Sequence, residues 1–584
     1  MNDPEPAEGS SAPSRRWTAP LAAGVAGGVA SGAYLVVAAR ALLSAAGRPL
    51  VGIDDACITM RYAINIANGF GFVYQAGGER VEGATSLLWT LLLSLAARGD
   101  APQITAATML VAAISAALGS LAAALGTALE SAGVESPRSR AALLAPMGLW
   151  IAALPSYPEW AVISLMETGL WSALAVLLAA ETVRAAAGGL DRGIAARAAL
   201  WGVLAVAARP EAPLLVAGST AILLALAGLG AWRRLLVVSA IPAAAFAALI
   251  GWRIWYFGVP LPNTYYAKVS PDLGYSLSEG FKYLGAFLSW SPLAAGAVAA
   301  SAAVLGRLAW RRGVEGVPAR LALAASLWVL LALALPVYGG GDHFKNFRFY
   351  QPFWPLFGLA PWCLALWLAV SGPATRRAGI VFAALFGIAV LVHGARDWRQ
   401  TLREGPGMYK HEAWLAMEGF HIGRTLNNWF DGRPLPGLAV YTAGGVSLTY
   451  QGPLFDTLGL NDTEVARAPG DRRGMKNHAA FNPEIFKRRL PDLYAPFTLR
   501  NPEDGEAWAQ SIIGFQTLFS KGIVNDQWFR DNYVPVLIPM DMPDMAAMFV
   551  YARPELVQWM MDEGRPVRVL WRRWWLAGDP PPAP

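Results

Sequence analysis

The sequence has little charge and almost no cysteine for its length. Of its 584 residues only 15% are Asp, Glu, Lys or Arg, whereas 55% carry apolar side chains. A soluble globular domain has about 25% charged residues, so this composition excludes an ordinary soluble enzyme and also a disordered scaffold. The two cysteines, Cys57 and Cys363, lie far apart in the chain. Their number and spacing exclude a disulfide framework and a cysteine-built zinc site.

The charges that are present point to a membrane and not to nucleic acid. A net charge of +6 would suit nucleic-acid binding in a soluble protein. Here many of the Lys and Arg residues lie in short segments between long apolar runs. We therefore expect the lipid bilayer as a partner and no nucleic acid. The five histidines form no HExxH motif, which argues against a catalytic zinc site of that type.

Eleven apolar segments predict a polytopic α-helical membrane protein. The segments are 19–46, 103–129, 141–155, 168–184, 194–208, 212–230, 234–255, 287–306, 320–337, 351–370 and 378–394. Residues 87–97 are apolar but too few to span a bilayer. We interpret them as an interfacial or re-entrant helix within a first outer loop, residues 47–102.

The distribution of Lys and Arg sets the predicted orientation. With a cytoplasmic N-terminus, the inner segment 184–197 carries three arginines, whereas the outer segment 155–167 has no Lys or Arg. Counting 87–97 as a full span would place Arg138 and Arg140 outside, so we prefer eleven spans. The expected location is the cytoplasmic membrane of a bacterium, with the site and the C-terminal part facing the periplasm.

Four regions follow from this pattern. Residues 1–18 are polar and predicted to be a disordered cytoplasmic N-terminus, and 19–394 form the membrane domain. Residues 395–578, called the tail below, are richer in charge, proline and tryptophan. Short alternating runs at 438–441 and 534–538 favour strands between helices, so we predict an α/β extracytoplasmic domain. Residues 579–584 are a loose C-terminus.

The dense polar clusters of the chain fall on the predicted outer face. The first combines Asp54 and Asp55 with Arg61, Tyr62 and Glu82. Adjacent carboxylates beside a membrane helix can take a proton from a hydroxyl group, or can hold a divalent cation with a phosphate. A solvated acidic turn is the simpler alternative.

Further clusters follow in later outer segments. Glu167 opens a helix, where it could act only as a cap, and Arg209 and Glu211 share a short turn, where they could form only a local ion pair. An arginine there also suits a phosphate. Residues 252–268 are rich in aromatic side chains, which would serve as ordinary membrane anchors. The remaining candidates suit sugar hydroxyls, anions or a metal ion: Asn263, Tyr265, Lys268, Asp342, His343 and Arg348.

The order of these motifs resembles one lineage of GT-C membrane glycosyltransferases. The motifs are DDAxIxxRYAxNxxxGxGxVxxxGGERVEGxTSxLW, METxLW, ARPE, PNTYYAK and GGDHFxxxRFYxPxxP. The chain is most similar to the terminal β-(1→2)-arabinofuranosyltransferases and their bacterial relatives. The resemblance covers residues 53–355 and continues weakly at 456–462. It departs from the family pattern at Cys57, Met60, Ala84 and Met166.

The resemblance implies a polyprenyl-phosphate sugar donor and a glycan or lipid-linked glycan acceptor outside the membrane. It also implies a catalytic carboxylate in the first outer loop, which matches Asp54, with Asp55 beside it. The residues listed above from the other motifs would line the donor and acceptor pocket. The carboxylate would deprotonate the acceptor if the reaction inverts, or act as nucleophile if it retains configuration. A Mg²⁺ or Mn²⁺ ion stays an option.

Two other classes of protein remain open. A transporter or flippase of a lipid-linked glycan would also place charges between helices, but its key ionisable residues should lie at mid-membrane. A non-catalytic envelope assembly protein would not need Asp54, Asp55 or Arg209. The sequence favours a glycosyltransferase over both.

Overall fold

The computed structural model describes residues 18–570 except 135, 312–313, 471 and 474–476. The predicted disordered N-terminus and the loose C-terminus therefore lie outside the described residues, apart from Thr18, where the first helix begins. Up to residue 404 the described chain is almost entirely helical. The helices there are α1 (Thr18–Ala46), α2 (Asp54–Ala67), α3 (Leu87–Ala96), α4 (Pro102–Ser131), α5 (Pro137–Ala152), α6 (Ser156–Pro158), α7 (Thr168–Gly188), α8 (Arg192–Ala208), α9 (Ala212–Ala227), α10 (Trp232–Phe257), α11 (Asn263–Lys268), α12 (Leu273–Trp290), α13 (Pro292–Arg311), α14 (Gly316–Tyr338), α15 (Trp354–Phe357), α16 (Leu359–Val370) and α17 (Pro373–Glu404).

Helix boundaries in this region follow from local chemistry. Pro102 and Pro292 begin α4 and α13, where a missing N–H group removes no helical hydrogen bond. The Asp191 carboxylate accepts the N–H of Ile194 and caps α8. Gly258, with a φ of 76°, ends α10 in the left-handed conformation that glycine adopts readily. A π-helical turn, Glu159–Ile163, joins α6 to the loop before α7.

The polytopic helical fold is confirmed. Among the described residues, eight helices are long and apolar enough to cross a membrane, and α5 with Ser156–Ile163 forms a ninth candidate bent by 65°. The two other predicted spans are also helical, but α8 and α9 have only 17 and 16 residues. The predicted short helix in the first outer loop is α3, with ten residues. Buried Ala, Leu and Trp side chains of α4, α7, α14 and α16 form the main core.

The tail combines helices with a six-stranded sheet, which is the predicted α/β character. Its helices are α18 (Gly407–Trp429), α19 (Gly444–Thr449), α20 (Thr463–Arg467), α21 (Pro483–Arg489), α22 (Gly505–Phe519), α23 (Gln527–Asn532) and α24 (Pro554–Asp562). Its strands are β1 (Leu438–Val440), β2 (Leu454–Asp456), β3 (Leu493–Leu499), β4 (Val534–Met542), β5 (Met545–Ala552) and β6 (Arg568–Val569). The order is β2-β1-β3-β5-β4-β6, with β1 parallel to both neighbours and the other pairs antiparallel. The predicted boundary at residue 394 falls inside α17, and the division into domains stays a prediction.

The first outer loop packs against the tail through a shared apolar cluster. Tyr62 and Tyr74 from the loop are buried with Val440 and Val446 from the tail. The Tyr74 hydroxyl donates to the Ala443 carbonyl at 2.5 Å. Because β1 runs directly toward α19, this packing brings the start of α19 against the start of α2. The two regions therefore meet where the acidic pair lies.

A buried ion pair ties the same loop to α10. Arg253 donates from Nε and Nη2 to the two Glu82 oxygens at 2.8 Å each, with side chains 4% and 1% exposed. Replacing Glu82 by Ala would leave the guanidinium buried without its partner. We expect the free energy of unfolding to fall by about 3–5 kcal/mol.

Thermal unfolding of the detergent-solubilised protein measures this loss. The matched control is Glu279→Ala, which breaks a surface pair with Lys282 and should leave the Tm close to that of wild type, since exposed ion pairs contribute little to stability. Equal stability of the two variants would contradict a structural role for the Glu82–Arg253 pair.

Candidate active site

The two acidic residues of the first outer loop occupy the first turn of α2. Negative side chains are favourable there because the helix N-terminus carries partial positive charge. Asp54 is buried, and its carboxylate accepts the N–H groups of Gly444 and Gly445 at 3.0 and 2.7 Å. Both Asp54 oxygens are thus engaged by the start of α19. The arrangement makes Asp54 one of the links between the loop and the tail.

Burial controls the protonation of Asp54. Removal from water raises the pKa of its carboxyl to about 6, with a further rise from Asp55, while the two glycine N–H groups oppose the change. The folded protein therefore binds this proton more tightly than the unfolded chain. The stability that Asp54 contributes is greatest below pH 4 and decreases as pH rises towards 6.

An Asp54→Asn variant tests this pH dependence. Since the pKa rises from 3.8 to about 6, the stability of wild type relative to the variant should fall by about 2.4 kcal/mol between pH 4 and pH 7. The measurement is the Tm of both proteins in detergent at pH 4, 5, 6 and 7. A difference in Tm that stays constant across the series would show that Asp54 titrates as it does in the unfolded chain.

Asp55 faces a group of cations instead. One of its oxygens lies 3.7 Å from Lys268 Nζ and 3.7 Å from Arg348 Nη1. Burial alone would raise the pKa of Asp55, but these two cations outweigh it and lower the pKa below its ordinary value. Asp55 is therefore an ionised carboxylate in the folded protein at neutral pH.

Arg348 is held in place by a second carboxylate. Its Nε lies 2.6 Å from Asp342 Oδ2, and Asp342 is fully buried. The other Asp342 oxygen accepts from the Asn477 amide at 3.0 Å and from the His343 N–H at 2.9 Å. The cation at Arg348 lowers the pKa of Asp342, and the Arg348 guanidinium also lies over the Phe344 ring. These contacts orient the guanidinium toward Asp55.

A third charged group adjoins this one. Arg209 forms ion pairs with Glu167 and with both oxygens of Glu211, the latter at 3.1 and 2.8 Å. Both arginines lie over the ring of Phe349. The Cζ atoms of Arg209 and Arg348 lie 5.4 and 5.1 Å from the ring centroid. Side chains from five predicted outer motifs therefore meet in one charged cluster, namely Asp55, Glu167, Arg209 with Glu211, Lys268, and Asp342 with Arg348.

Other predicted site residues lie elsewhere and contact the tail or the loop. Tyr62 donates to Asn461 Oδ1 at 3.1 Å, and the Asn263 amide donates to the carbonyls of Gly459 and Leu460 at 2.9 and 3.1 Å. Arg61 donates to the Tyr74 carbonyl at 3.1 Å. Glu82 is paired with Arg253, and Tyr265 is 42% exposed. The structure does not bring these five side chains to Asp55, and their role in binding substrate stays a prediction.

Sequence reasoning missed the contributions of the tail. Glu412 lies on α18, beyond the apolar stretch 378–394, where burial beside Asp55 and Asp54 raises its pKa to about 8. Asn477 reaches Asp342, as described above. No local sequence pattern identifies either residue, because the tail sequence does not show which of its segments contacts the first outer loop. The Gly444-Gly445 pair after a strand does give a signal, since paired glycines allow close approach of another backbone.

The fold and this cluster define an integral membrane protein with a charged, partly buried site formed by its inter-helix loops and its α/β tail. Two curated proteins are similar to part of the chain. Both are named terminal β-(1→2)-arabinofuranosyltransferase, one from Mycobacterium tuberculosis and one from Corynebacterium glutamicum. The first is 30% identical over 252 residues and the second 30% identical over 254.

These alignments cover 41% and 40% of this chain but only 39% and 35% of the relatives. The chain thus matches under two fifths of the length of each relative. The resemblance that the motifs indicated is confirmed at this level. No family model matches the chain.

Among solved structures, ArnT from Cupriavidus metallidurans bound to undecaprenyl phosphate is similar to this chain. The superposition has a TM-score of 0.46 and 13% sequence identity, and it covers 89% of this chain and 97% of ArnT.

Proposed function

We propose that the protein is a GT-C-type membrane glycosyltransferase that moves a sugar from a polyprenyl-phosphate donor to a glycan of the cell envelope. The observation that carries the proposal is the placement of Asp55 within 3.7 Å of both Lys268 and Arg348. Three segments far apart in sequence supply these side chains. A carboxylate and two cations at one point can supply a base or nucleophile and the positive charge that stabilises a departing phosphate.

Lys268 and Arg348 would bind the phosphate that leaves the sugar. As the bond from the anomeric carbon to the phosphate oxygen breaks, negative charge develops on the phosphate, and fixed cations stabilise it. Arg348 suits this role because Asp342 and Phe344 already orient its planar guanidinium.

Asp55 would act on the acceptor side. In an inverting reaction it would accept the proton of the acceptor hydroxyl while the oxygen of that hydroxyl bonds to the sugar. In a retaining reaction Asp55 would first bond to the anomeric carbon and displace the phosphate. The acceptor oxygen would then displace Asp55, and the acceptor proton would pass to the released phosphate. We assign this role to Asp55 and not to Asp54, because both Asp54 oxygens already accept backbone N–H groups.

The sugar in the proposal comes from the names of the relatives, and the location and orientation come from the sequence. Arabinofuranose is the sugar to test first, since both similar proteins are terminal arabinofuranosyltransferases. The proposed location is the cytoplasmic membrane of a bacterium, with Asp55 and the tail on the periplasmic side. That orientation follows from the distribution of Lys and Arg along the chain.

A divalent cation fits this arrangement poorly. Asp54 has both oxygens occupied by N–H groups, and Asp55 lies beside two positive side chains. In the described part of the chain, no three His, Cys, Asp or Glu side chains converge as a metal-binding group. The mechanism above therefore uses no metal ion. A requirement for Mg²⁺ or Mn²⁺ stays a proposal that an assay with and without EDTA tests.

The experiment combines a deletion strain with an in vitro assay. The host lacking the gene is complemented with wild type, Asp55→Asn or the control Asp100→Asn, an exposed residue of the same loop, and the envelope glycans are analysed. Membranes from each strain are then incubated with radiolabelled polyprenyl-phosphate arabinofuranose. We expect wild type and Asp100→Asn to restore a missing terminal sugar and to release polyprenyl phosphate.

Restoration by Asp55→Asn at normal protein levels would refute the assignment of Asp55. Movement of intact lipid-linked sugar across sealed vesicles, without cleavage of the sugar–phosphate bond, would refute the transferase and support a flippase.

A further inference from the structure

A cavity lies beside α18, the tail helix that carries Glu412 to the active site. It has a volume of about 600 Å³. One wall is a single face of α18, since Gly407, Lys410, His411 and Trp414 recur at helical spacing. The opposite wall is formed by the end of β3, residues 498–501, together with the loop after α1. We call this cavity the basic groove.

The groove is positively charged. Arg48, Lys410 and Arg500 line it, and its lining includes no Asp or Glu. In the described part of the chain none of these three cations forms an ion pair. Lys410 reaches only the backbone carbonyl of Glu404, at 3.5 Å. Three cations without carboxylate partners around one cavity favour an anionic ligand of high charge density, such as a phosphate or diphosphate.

Trp414 gives the groove an apolar surface beside these charges. Its indole is half-buried on the same face of α18 as Lys410. A half-buried indole presents a flat face on which a sugar ring can stack, and its rigid ring loses little entropy on binding. Cations alone would serve any anion, whereas cations beside an indole suit a phosphate that carries a sugar.

The position of the groove links the membrane to the active site. Arg48 follows the end of α1 by two residues, and Gly407 follows the end of α17 by three. Both helices belong to candidate membrane spans, so the groove opens where those helices end. On α18, His411 in the groove is directly followed by Glu412, which interacts electrostatically with Asp55. A ligand here would lie between the bilayer and the reacting groups.

We propose that the basic groove binds the acceptor, and that this acceptor is a lipid-linked glycan whose phosphate or diphosphate contacts Arg48, Lys410 and Arg500 while its first sugar stacks on Trp414. This inference rests on the proposed glycosyltransferase function and narrows its acceptor from any glycan of the cell envelope to a lipid-linked one that carries a phosphate. The groove is separate from the cations at Asp55, which would hold the donor phosphate.

Binding to the full-length protein in nanodiscs of neutral lipid tests the proposal. The probes are a disaccharide diphosphate with a ten-carbon prenyl tail and the uncharged octyl glycoside of the same disaccharide. We expect Lys410→Gln/Arg500→Gln to weaken binding of the diphosphate probe about tenfold and to leave the weak binding of the glycoside unchanged. Trp414→Ala should weaken both. The matched control is Arg424→Gln, an exposed arginine of the same helix outside the groove.

Equal affinity of the double variant and wild type for the diphosphate probe would overturn the proposal. Equal affinity of wild type for the two probes would overturn it as well. Displacement of the probe by phosphatidylglycerol vesicles as effectively as by unlabelled probe would instead assign the groove to bulk anionic lipid.

Failure of the proposed function would look different. Groove-dependent probe binding, without sugar transfer from any tested polyprenyl-phosphate sugar, would refute the transferase and leave the groove as an anion site. Transfer to the probe with an unchanged KM in the double variant would refute the groove and leave the transferase.

Discussion

Replacing Asp55 by Asn is expected to reduce sugar transfer by about 10³-fold while leaving the protein folded. Asn keeps the size of the side chain but removes the negative charge that takes the proton or bonds to the sugar, and general base catalysis contributes about 10²–10⁴-fold. Lys268 and Arg348 would remain beside a neutral amide. They keep Asp342 and solvent as partners, so the structural loss should be small.

The measurement is kcat for transfer from the polyprenyl-phosphate sugar, together with Tm in the same detergent. Asp100→Asn should match wild type in both. Loss of activity in Asp55→Asn together with a large fall in Tm would show that Asp55 is a structural partner of the two cations. Full activity would move the catalytic role to another carboxylate, of which Asp54 and Glu412 are the nearest candidates.

Replacing Gly444 by Ala is expected to detach α19 from α2 and to destabilise the folded protein by about 3 kcal/mol, at the upper end of the usual range for overpacking. A Cβ atom at this position would lie 1.8 Å from the Asp54 carbonyl oxygen and 2.6 Å from its carbonyl carbon. Both are backbone atoms in the first turn of a helix, so neither can rotate away. Relief requires the two helices to separate, which also breaks the N–H bonds to the Asp54 carboxylate.

Thermal unfolding and limited proteolysis of the tail measure this effect, and transfer activity should fall with them. Gly285→Ala in α12 is the matched control, since a Cβ there meets no atom within 4 Å and alanine favours a helix more than glycine does. If Gly444→Ala leaves Tm and the protease pattern unchanged, the close contact between the two helices is not present in the protein in solution.

The sequence predicted the helices and the charged cluster for a physical reason. Long apolar runs are stable in a bilayer only as helices or closed barrels, and some of the polar residues on the predicted outer face lie together. Asp55, Lys268, Asp342 and Arg348 do so. The resemblance pointed to Asp54 with Asp55 beside it, whereas we assign the catalytic role to Asp55. The two residues differ because the two N–H groups at the start of α19 bind Asp54, and these lie almost 400 residues away.

The same limit explains the residues that the structure places elsewhere. Glu82 pairs with an arginine 171 residues away, and Asn263 donates to carbonyls almost 200 residues away. Such contacts depend on how the tail and the helices dock, and no periodicity in the sequence reports that docking. The sequence therefore identifies a polar residue in an outer motif as a candidate. It does not show whether that residue stabilises the fold or contacts a substrate.

The contact of Asp54 with α19 has a consequence for the design of chimaeras. The Asp54 carboxylate lies in the first turn of α2, in the first outer loop, and accepts the N–H groups at the start of α19, in the tail. Exchanging tails between related proteins at the end of α17 would separate this carboxylate from the two glycines that it contacts. A functional exchange should carry residues 47–102 along with the tail. The two segments to be exchanged are therefore separated in the chain by most of the membrane helices.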